Sequence, residues 1–340
     1  DPGANRIFLD GVETDTVEAR GSGEPVLGRI PLWTSEQVVL EPSPEQLRIH
    51  LTSWRVSSTV PVTRTDVFTG DDDTNIYRGF FGRRFVHGEA LQLGAQQYST
   101  SGQRFGGDGD GLDLFARVGW GRGRFSTDAF IQRTRRGHDA RLRATGAGAP
   151  LAPYDARQTE AYVRAGWGTG VRGLWLQLVA ASLAYDEAST HRSAATNGLP
   201  IDTVDSASSR AQWVAAGGWS GGGLRLSATH RLRVFDGERY HSPSARASLE
   251  RRWITLSLFG EMDAPDEVLR RTIPDSADVD MPRVSRASVI ARLQPVSFVS
   301  LLASAGAARW SGQDAEGNEI DEETRSYRAE AGLRLWRLWA

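Results

Sequence analysis

One phrase, written three times, restricts this chain more than anything else in it: Val118-Gly119-Trp120-Gly121-Arg122-Gly123, Ala165-Gly166-Trp167-Gly168-Thr169-Gly170 and Gly217-Gly218-Trp219-Ser220-Gly221-Gly222. In each copy a run of alternating apolar and polar residues meets a tryptophan, a glycine-rich stretch follows, and a second alternating run leaves. Alternation has the period of a strand, and glycine supplies the positive φ of a tight connection, so each copy reads as a β-hairpin. The tryptophan holds the last outward position before the turn every time. Aromatic side chains at a constant level beside the turns are what a membrane-spanning barrel sets at one bilayer interface.

Composition removes the competing classes. No stretch of the 340 residues approaches the roughly 18 consecutive apolar residues of a spanning helix. An unremarkable 39% of hydrophobic residues is what barrel strands give, because they alternate. The chain has no cysteine, which excludes disulfides and thiolate metal sites. Its 40 basic residues are all arginine, and 42 acidic residues leave a net charge of -2. That balance lacks the basic excess of a nucleic-acid binder.

From Arg55 onward, alternation and turn residues predict about fourteen strands: 56–69, 75–86, 89–101, 111–121, 123–135, 157–168, 172–186, 208–219, 222–234, 238–251, 253–262, 284–294, 297–310 and 324–338. Their connections alternate in kind. Short turns fall at His87-Gly88, Gly121-Arg122, Gly168 to Gly170, Ser220 to Gly223, Arg251-Arg252 and Gln294-Pro295. Longer polar loops fall between them, at 70–74, 102–110, 137–156, 187–207, 235–243, 263–283 and 311–323. Short turns at one end and long loops at the other is the outer membrane pattern, periplasmic and extracellular respectively, and a soluble sandwich has no need of it. The fold class is therefore all-β, a transmembrane antiparallel β-barrel.

The alternation sorts two faces. Leu112, Leu114, Ala116 and Val118 share a face with Trp120; Ala161, Val163 and Ala165 share one with Trp167. These face lipid, and Trp120, Trp167, Trp219 and Trp253 form a membrane-interface belt beside the short turns. The opposite face carries charge. Arg117, Arg164, Arg225, Arg231, Arg292, Arg328 and Arg334, with Glu160 and Glu330, are the lumen-lining candidates; Arg210, Arg233, Arg246, Arg286, Asp113, Asp128 and Glu250 share that phase. Mixed signs favour a ladder of cross-strand ion pairs that wets the lumen over an anion-selective pore lining.

Other chemistry is thinly supported. Acidic groups at Asp71 to Asp73, Asp202 with Asp205, Asp263 to Glu267, Asp275 to Asp280 and Asp314 to Glu323 read as solvated loops, and the 106–111 stretch lacks the spacing of a calcium loop. The six histidines are scattered, without H-E-x-x-H, and no G-x-S-x-G elbow is present. His138 beside Asp139, and His191, are ordinary loop histidines on this reading. No catalytic residue, metal site or cofactor is expected.

Residues 1–55 differ from the rest. Ile7 to Val12 reads as a strand closing on a turn, and Ser35 to Leu40 and Gln46 to Leu51 as two more, joined through Pro25, Pro31, Pro42 and Pro44. A segment this short cannot bury a core alone and is expected to pack on something larger. The order of a Leu-Asp-Gly-Val strand (Leu9 to Val12), an Ile-Pro step (Ile30, Pro31), a Glu-led β run (Glu36 to Leu40) and a final run ending in threonine (Arg48 to Thr52) resembles the last part of the plug domain of TonB-dependent outer membrane receptors. The resemblance implies a plug-like or periplasmic segment at 1–55, a barrel over 56–340, location in the outer membrane, uptake of a small solute, and coupling to a periplasmic energy-transducing protein. A passive porin-type channel and a structural or adhesive barrel of an envelope complex are the alternatives. The run from Leu333 to Ala340 breaks alternation at Trp336 and looks like a strand entering another short turn, so the barrel is expected to be incomplete at this end. Pairing of 56–69 with 324–338 would instead mean a closed small barrel.

Overall fold

The computed structural model describes residues 5–14, 32–42, 47–71, 73–101, 108–138, 154–168, 170–192, 200–235, 237–263, 283–296, 298–313, 318–335 and 338–339. They form two sheets. The smaller contains β1 (Asn5–Leu9), β2 (Val12–Glu13), β3 (Ser35–Pro42) and β4 (Leu47–Ser53), in the order β2-β1-β4-β3 with β1 parallel to β4. Asp10 and Gly11 join β1 to β2 with φ of 52° and 86°. Two successive positive φ values suit an Asp-Gly pair and give the hairpin its twist.

The larger sheet holds β5 (Val62–Thr69), β6 (Asn75–Arg84), β7 (Glu89–Thr100), β8 (Gly109–Arg122), β9 (Phe125–His138), β10 (Tyr154–Trp167), β11 (Gly173–Arg192), β12 (Pro200–Gly221), β13 (Leu224–Phe235), β14 (Glu238–Arg251), β15 (Ile254–Asp263), β16 (Arg283–Val296), β17 (Val299–Gln313), β18 (Glu319–Leu335) and the two-residue β19 (Leu338–Trp339). Every sequence neighbour is a spatial neighbour, from β5 at one edge to β19 at the other. β5 to β18 are the fourteen strands that alternation predicts. Among the described residues β5 pairs with β6 alone and the sheet is not closed on itself. In hydrocarbon the unpaired N–H and C=O groups of both edges require strand partners.

Several details differ from the sequence reading: the loop at 235–243 is a tight connection, since Phe235 already pairs with Glu238, and the turn at Gln294-Pro295 lies within β16. The described parts of 187–207, read as a loop, are paired strand: β11 and β12 run 20 and 22 residues and stay in register out to His191 and Asp202, with a shift before Arg192 and Pro200. That is about twice what a tilted strand needs to cross a bilayer, and the polar, non-alternating sequence of the continuation hides it. β5 begins at Val62, not 56; Pro61 has no N–H to give a ladder. Gly121 and Arg122 are still paired, with Ser126 and Phe125, so the turn is Gly123-Arg124, where Gly123 takes the required φ of 62°. Trp253 lies in the β14–β15 turn itself.

The short turns are stitched to their neighbours. Gly121 N donates to Gly88 O at 3.0 Å, and Glu250 N to Gly223 O at 2.7 Å. A Cβ on Gly88 would stand 2.2 Å from Gly121 O, and one on Gly223 equally close to Glu250 O. Both glycines also have positive φ, 104° and 78°, so they are demanded twice over.

The small sheet lies inside the curve of the large one. Trp33, just ahead of β3, meets Phe115 on β8, and Arg48 on β4 meets Glu261 on β15. Those eight strands would span about 34 Å if flat, at about 4.8 Å a strand, whereas four strands are about 14 Å wide. Contact at both ends requires the large sheet to curl. The shared core confirms the packing: Ile7, Leu9, Val12, Ile49 and Leu51 join Phe130, Tyr162, Val179 and Val214 in one cluster, with Ile7 at 0% exposure and Leu51 at 2%. The outward phase is apolar and open, as at Val118, Ile131, Val163 and Leu178.

Candidate functional site: the interface between the two sheets

The inward side chains of the barrel wall and the polar residues of the small sheet meet at two ionic anchors. The first stands against β12 to β16. Arg6 on β1 donates through Nε and Nη2 to the two carboxylate oxygens of Glu13 on β2, each at 2.7 Å, and through Nη1 to Asp263 on β15. Asp263 also accepts from Arg233 on β13 at 3.1 Å and from Ser242 Oγ on β14 at 2.6 Å. Arg48 donates to Glu261, and Arg286 on β16 lies 3.7 Å from both Glu261 and Asp263. Arg231 sits over the Phe8 ring at 4.8 Å. The backbone is held as well: Glu13 N donates to Gln212 Oε1 at 3.0 Å, and Arg210 donates to Glu13 O at 2.8 Å.

This network is dry, with the Glu13 side chain at 0% exposure and that of Arg6 at 9%. Burial pushes the Glu13 carboxyl up, but the adjacent guanidiniums of Arg6 and Arg233 outweigh it and hold the carboxyl well below its ordinary value. At the wetter rim, Glu41 accepts from Arg246 and lies 3.0 Å from His50 Nε2. Burial again raises its carboxyl, while the His50 hydrogen bond and the Arg246 charge bring it down to about 2.

The second anchor stands against β8 to β10. Asp10, fixed by its turn, accepts from Arg117 at 2.7 Å, from the Tyr162 hydroxyl at 2.7 Å, and from Ser53 through both N and Oγ. Arg117 and Gln92 both donate to Trp54 O, at 3.2 and 2.8 Å. Arg117 also lies over the Phe130 ring at 5.0 Å. Beside it Arg164 clasps Asp128 with two bonds, 2.7 and 3.0 Å.

The residues singled out from sequence are distributed unevenly over this interface. Arg117 and Arg231 are in it. Arg164 borders it through Asp128, and Glu160, bonded by Gln158, lines the crevice beside Leu9 and Glu13. Arg225 lies below it in an open pair with Glu250 at 3.7 Å, Arg292 is exposed on β16, and Arg328 pairs with Glu330 on the open β18. The side chain of Arg334 lies outside the described residues, as do those of His138 and His191. Trp167 ends β10, Trp120 and Trp219 each stand two residues before the end of β8 and β12, and Trp253 is in its turn, all beside short connections.

Barrel-to-barrel ion pairs form at Arg164–Asp128, Arg225–Glu250 and Arg233–Asp263, while Arg117 on β8 spends its donors largely on the small sheet and Arg233 is shared with Glu13. Asp263, read as the start of an acidic loop, is a buried strand residue. Its phase with Phe259 and Glu261 was the available signal. Asp10 and Arg48 carry no local signal, since their barrel partners lie far along the chain, and the short Arg6–Glu13 pair gives no sign of its distant partners Asp263 and Arg233. Of the other acidic groups, Asp321 and Glu323 pair with Arg309 and Arg325, and much of the rest lies outside the described residues. Among the described residues no three histidine or acidic side chains converge to hold a metal.

No protein-family model and no curated protein sequence matches the chain. Solved structures do share its fold. The alcaligin outer membrane receptor FauA of Bordetella pertussis aligns with 98% of this chain and 69% of its own, at TM-score 0.62 and 10% identity. The copper transporter OprC aligns with the same shares at 0.62 and 9%, and BauA, the ferric preacinetobactin receptor of Acinetobacter baumannii, with 98% and 61% at 0.60 and 12%. All three names describe receptors or transporters, none an enzyme. The chain spans roughly two thirds of the length of such proteins, and at this identity the likeness is one of fold. The chain has the antiparallel barrel fold of the TonB-dependent outer membrane receptors.

Proposed function

We propose that this chain resides in the outer membrane and serves solute uptake there, with residues 1–55 acting as a plug inside the barrel of 56–340 and release of that plug opening the path. The observation that carries this reading is the buried, reciprocal ion network of Arg6, Glu13, Arg48, Glu261 and Asp263. A dry network of this kind is a poor source of net stability but a strong determinant of one arrangement, since any displacement strands several charges at once. Such a contact suits an element that must sit in one place until work is done on it. A periplasmic energy-transducing partner would supply that work. The filled interior favours plugged uptake over the passive porin.

Planar-bilayer conductance tests the reading. The wild-type chain should be silent, and removal of residues 1–55 should give steady open-channel current. Steady current from the wild type would sink the plugged-uptake reading in favour of the porin. Continued silence after removal of residues 1–55 from a folded barrel would sink the plug assignment.

A further inference from the structure

The feature that neither the fold nor the interface absorbs is a pair of histidines on the outer face of the barrel wall. His230 on β13 and His241 on β14 are diagonal neighbours: His230 is in register with Pro243, and Leu232 with His241. Their phase is that of Leu226 and Ala228, opposite to the buried Arg233, so both rings point away from the small sheet. His230 Nε2 and His241 Nδ1 are 3.2 Å apart, with ring centroids at 5.2 Å and planes inclined by 33°. Both side chains are exposed. The β14–β15 ladder ends at Ser244 and Glu261, just below the pair.

The geometry points to a two-histidine site for a late first-row divalent cation, with water completing the coordination. Two imidazole nitrogens bound at about 2.0–2.1 Å to one tetrahedral metal stand about 3.3 Å apart, close to the separation found here. The hydrogen bond of the pair aims one ring's lone pair at the other's N–H; a metal takes the place of that proton, which moves to the donor ring's other nitrogen, and the ladder already holds both Cα atoms, so little has to be ordered on binding. Nitrogen donors with open positions rank Cu²⁺ above Ni²⁺ and Zn²⁺. The site needs neither the transport role nor the plug, and it adds a cation-binding point on the outside of the barrel.

Cu²⁺ titration of the detergent-solubilised full chain tests this, read by equilibrium binding and by electron paramagnetic resonance. Both are repeated for His230→Gln, His241→Gln and the double variant, each first shown to be folded by its heat-modifiable migration in gels. The wild type should bind one more equivalent than the double variant, with a two-nitrogen signature. Each single variant should weaken that equivalent on the order of 10- to 100-fold, the scale of removing metal-site support. Equal stoichiometry and affinity in the wild type and the double variant would overturn the assignment, as would a bound-copper spectrum without two nitrogen donors.

Discussion

Replacing Glu13 by Gln is the sharpest probe of the interface. The amide keeps the size of the side chain and leaves the backbone bonds to Gln212 and Arg210 in place. What it removes is the counter-charge that Arg6 meets at 2.7 Å through two bonds and Arg233 at 3.5 Å. Both guanidiniums are at least nine-tenths buried, so neither can turn to water. Removing one partner of such a pair costs about 3–5 kcal/mol. At about 1.4 kcal/mol per tenfold, that is a shift from roughly 10²-fold to several thousandfold in the docking equilibrium of the small sheet. Hydrogen exchange followed by mass spectrometry reads it directly: the amides of β1 and β4 should lose protection by that factor while β13 and β14 keep theirs. The control is Glu250→Gln, whose partner Arg225 stands at 3.7 Å with both side chains about two-thirds exposed. Open pairs of that kind contribute about 0–1 kcal/mol, and exchange there should barely change. Equal protection of β1 and β4 in Glu13→Gln and wild type would refute the claim that the network holds the sheet in place.

Acid should loosen the same sheet. The Glu41 carboxyl is lowered in the folded chain from 4.5 to about 2, so its contribution is complete above about pH 4.5 and is lost as pH falls through that window. Protection of β3, corrected for intrinsic exchange, should decline from pH 5 to 2, and Glu41→Gln should flatten the decline. Leu51→Ala, at 2% exposure in the shared core, should cost about 2–5 kcal/mol of docking; unchanged exchange in β4 would contradict the core assignment. Gly223→Ala should slow barrel assembly, because its Cβ would stand 2.2 Å from Glu250 O, and heat-modifiable gel migration measures it. Trp167→Ser should weaken membrane insertion in a liposome assay while leaving solute selectivity alone; changed selectivity with normal insertion would place Trp167 on the wrong face.

Sequence alone determined the barrel. Period-two alternation survives in any strand whose two sides meet different media, so Leu112 to Trp120 and Ala161 to Trp167 announce both the strand and its faces without reference to any partner. The turns are equally local, since positive φ at Gly88, Gly123 and Gly223 is a property of one residue. What failed locally failed for a physical reason: the described parts of 187–207 continue β11 and β12 as strand, but their residues are polar without alternation, so there is no period-two signal to read. Tertiary structure alone decided what the inward charges do. Arg117 alternates like Arg225, yet one is buried against Asp10 and the other stands open beside Glu250. The difference is set by where the small sheet sits, through pairs 107 to 257 residues apart in sequence. Charge has no periodicity that could announce such partners, because an ion pair records only where two chain segments end up.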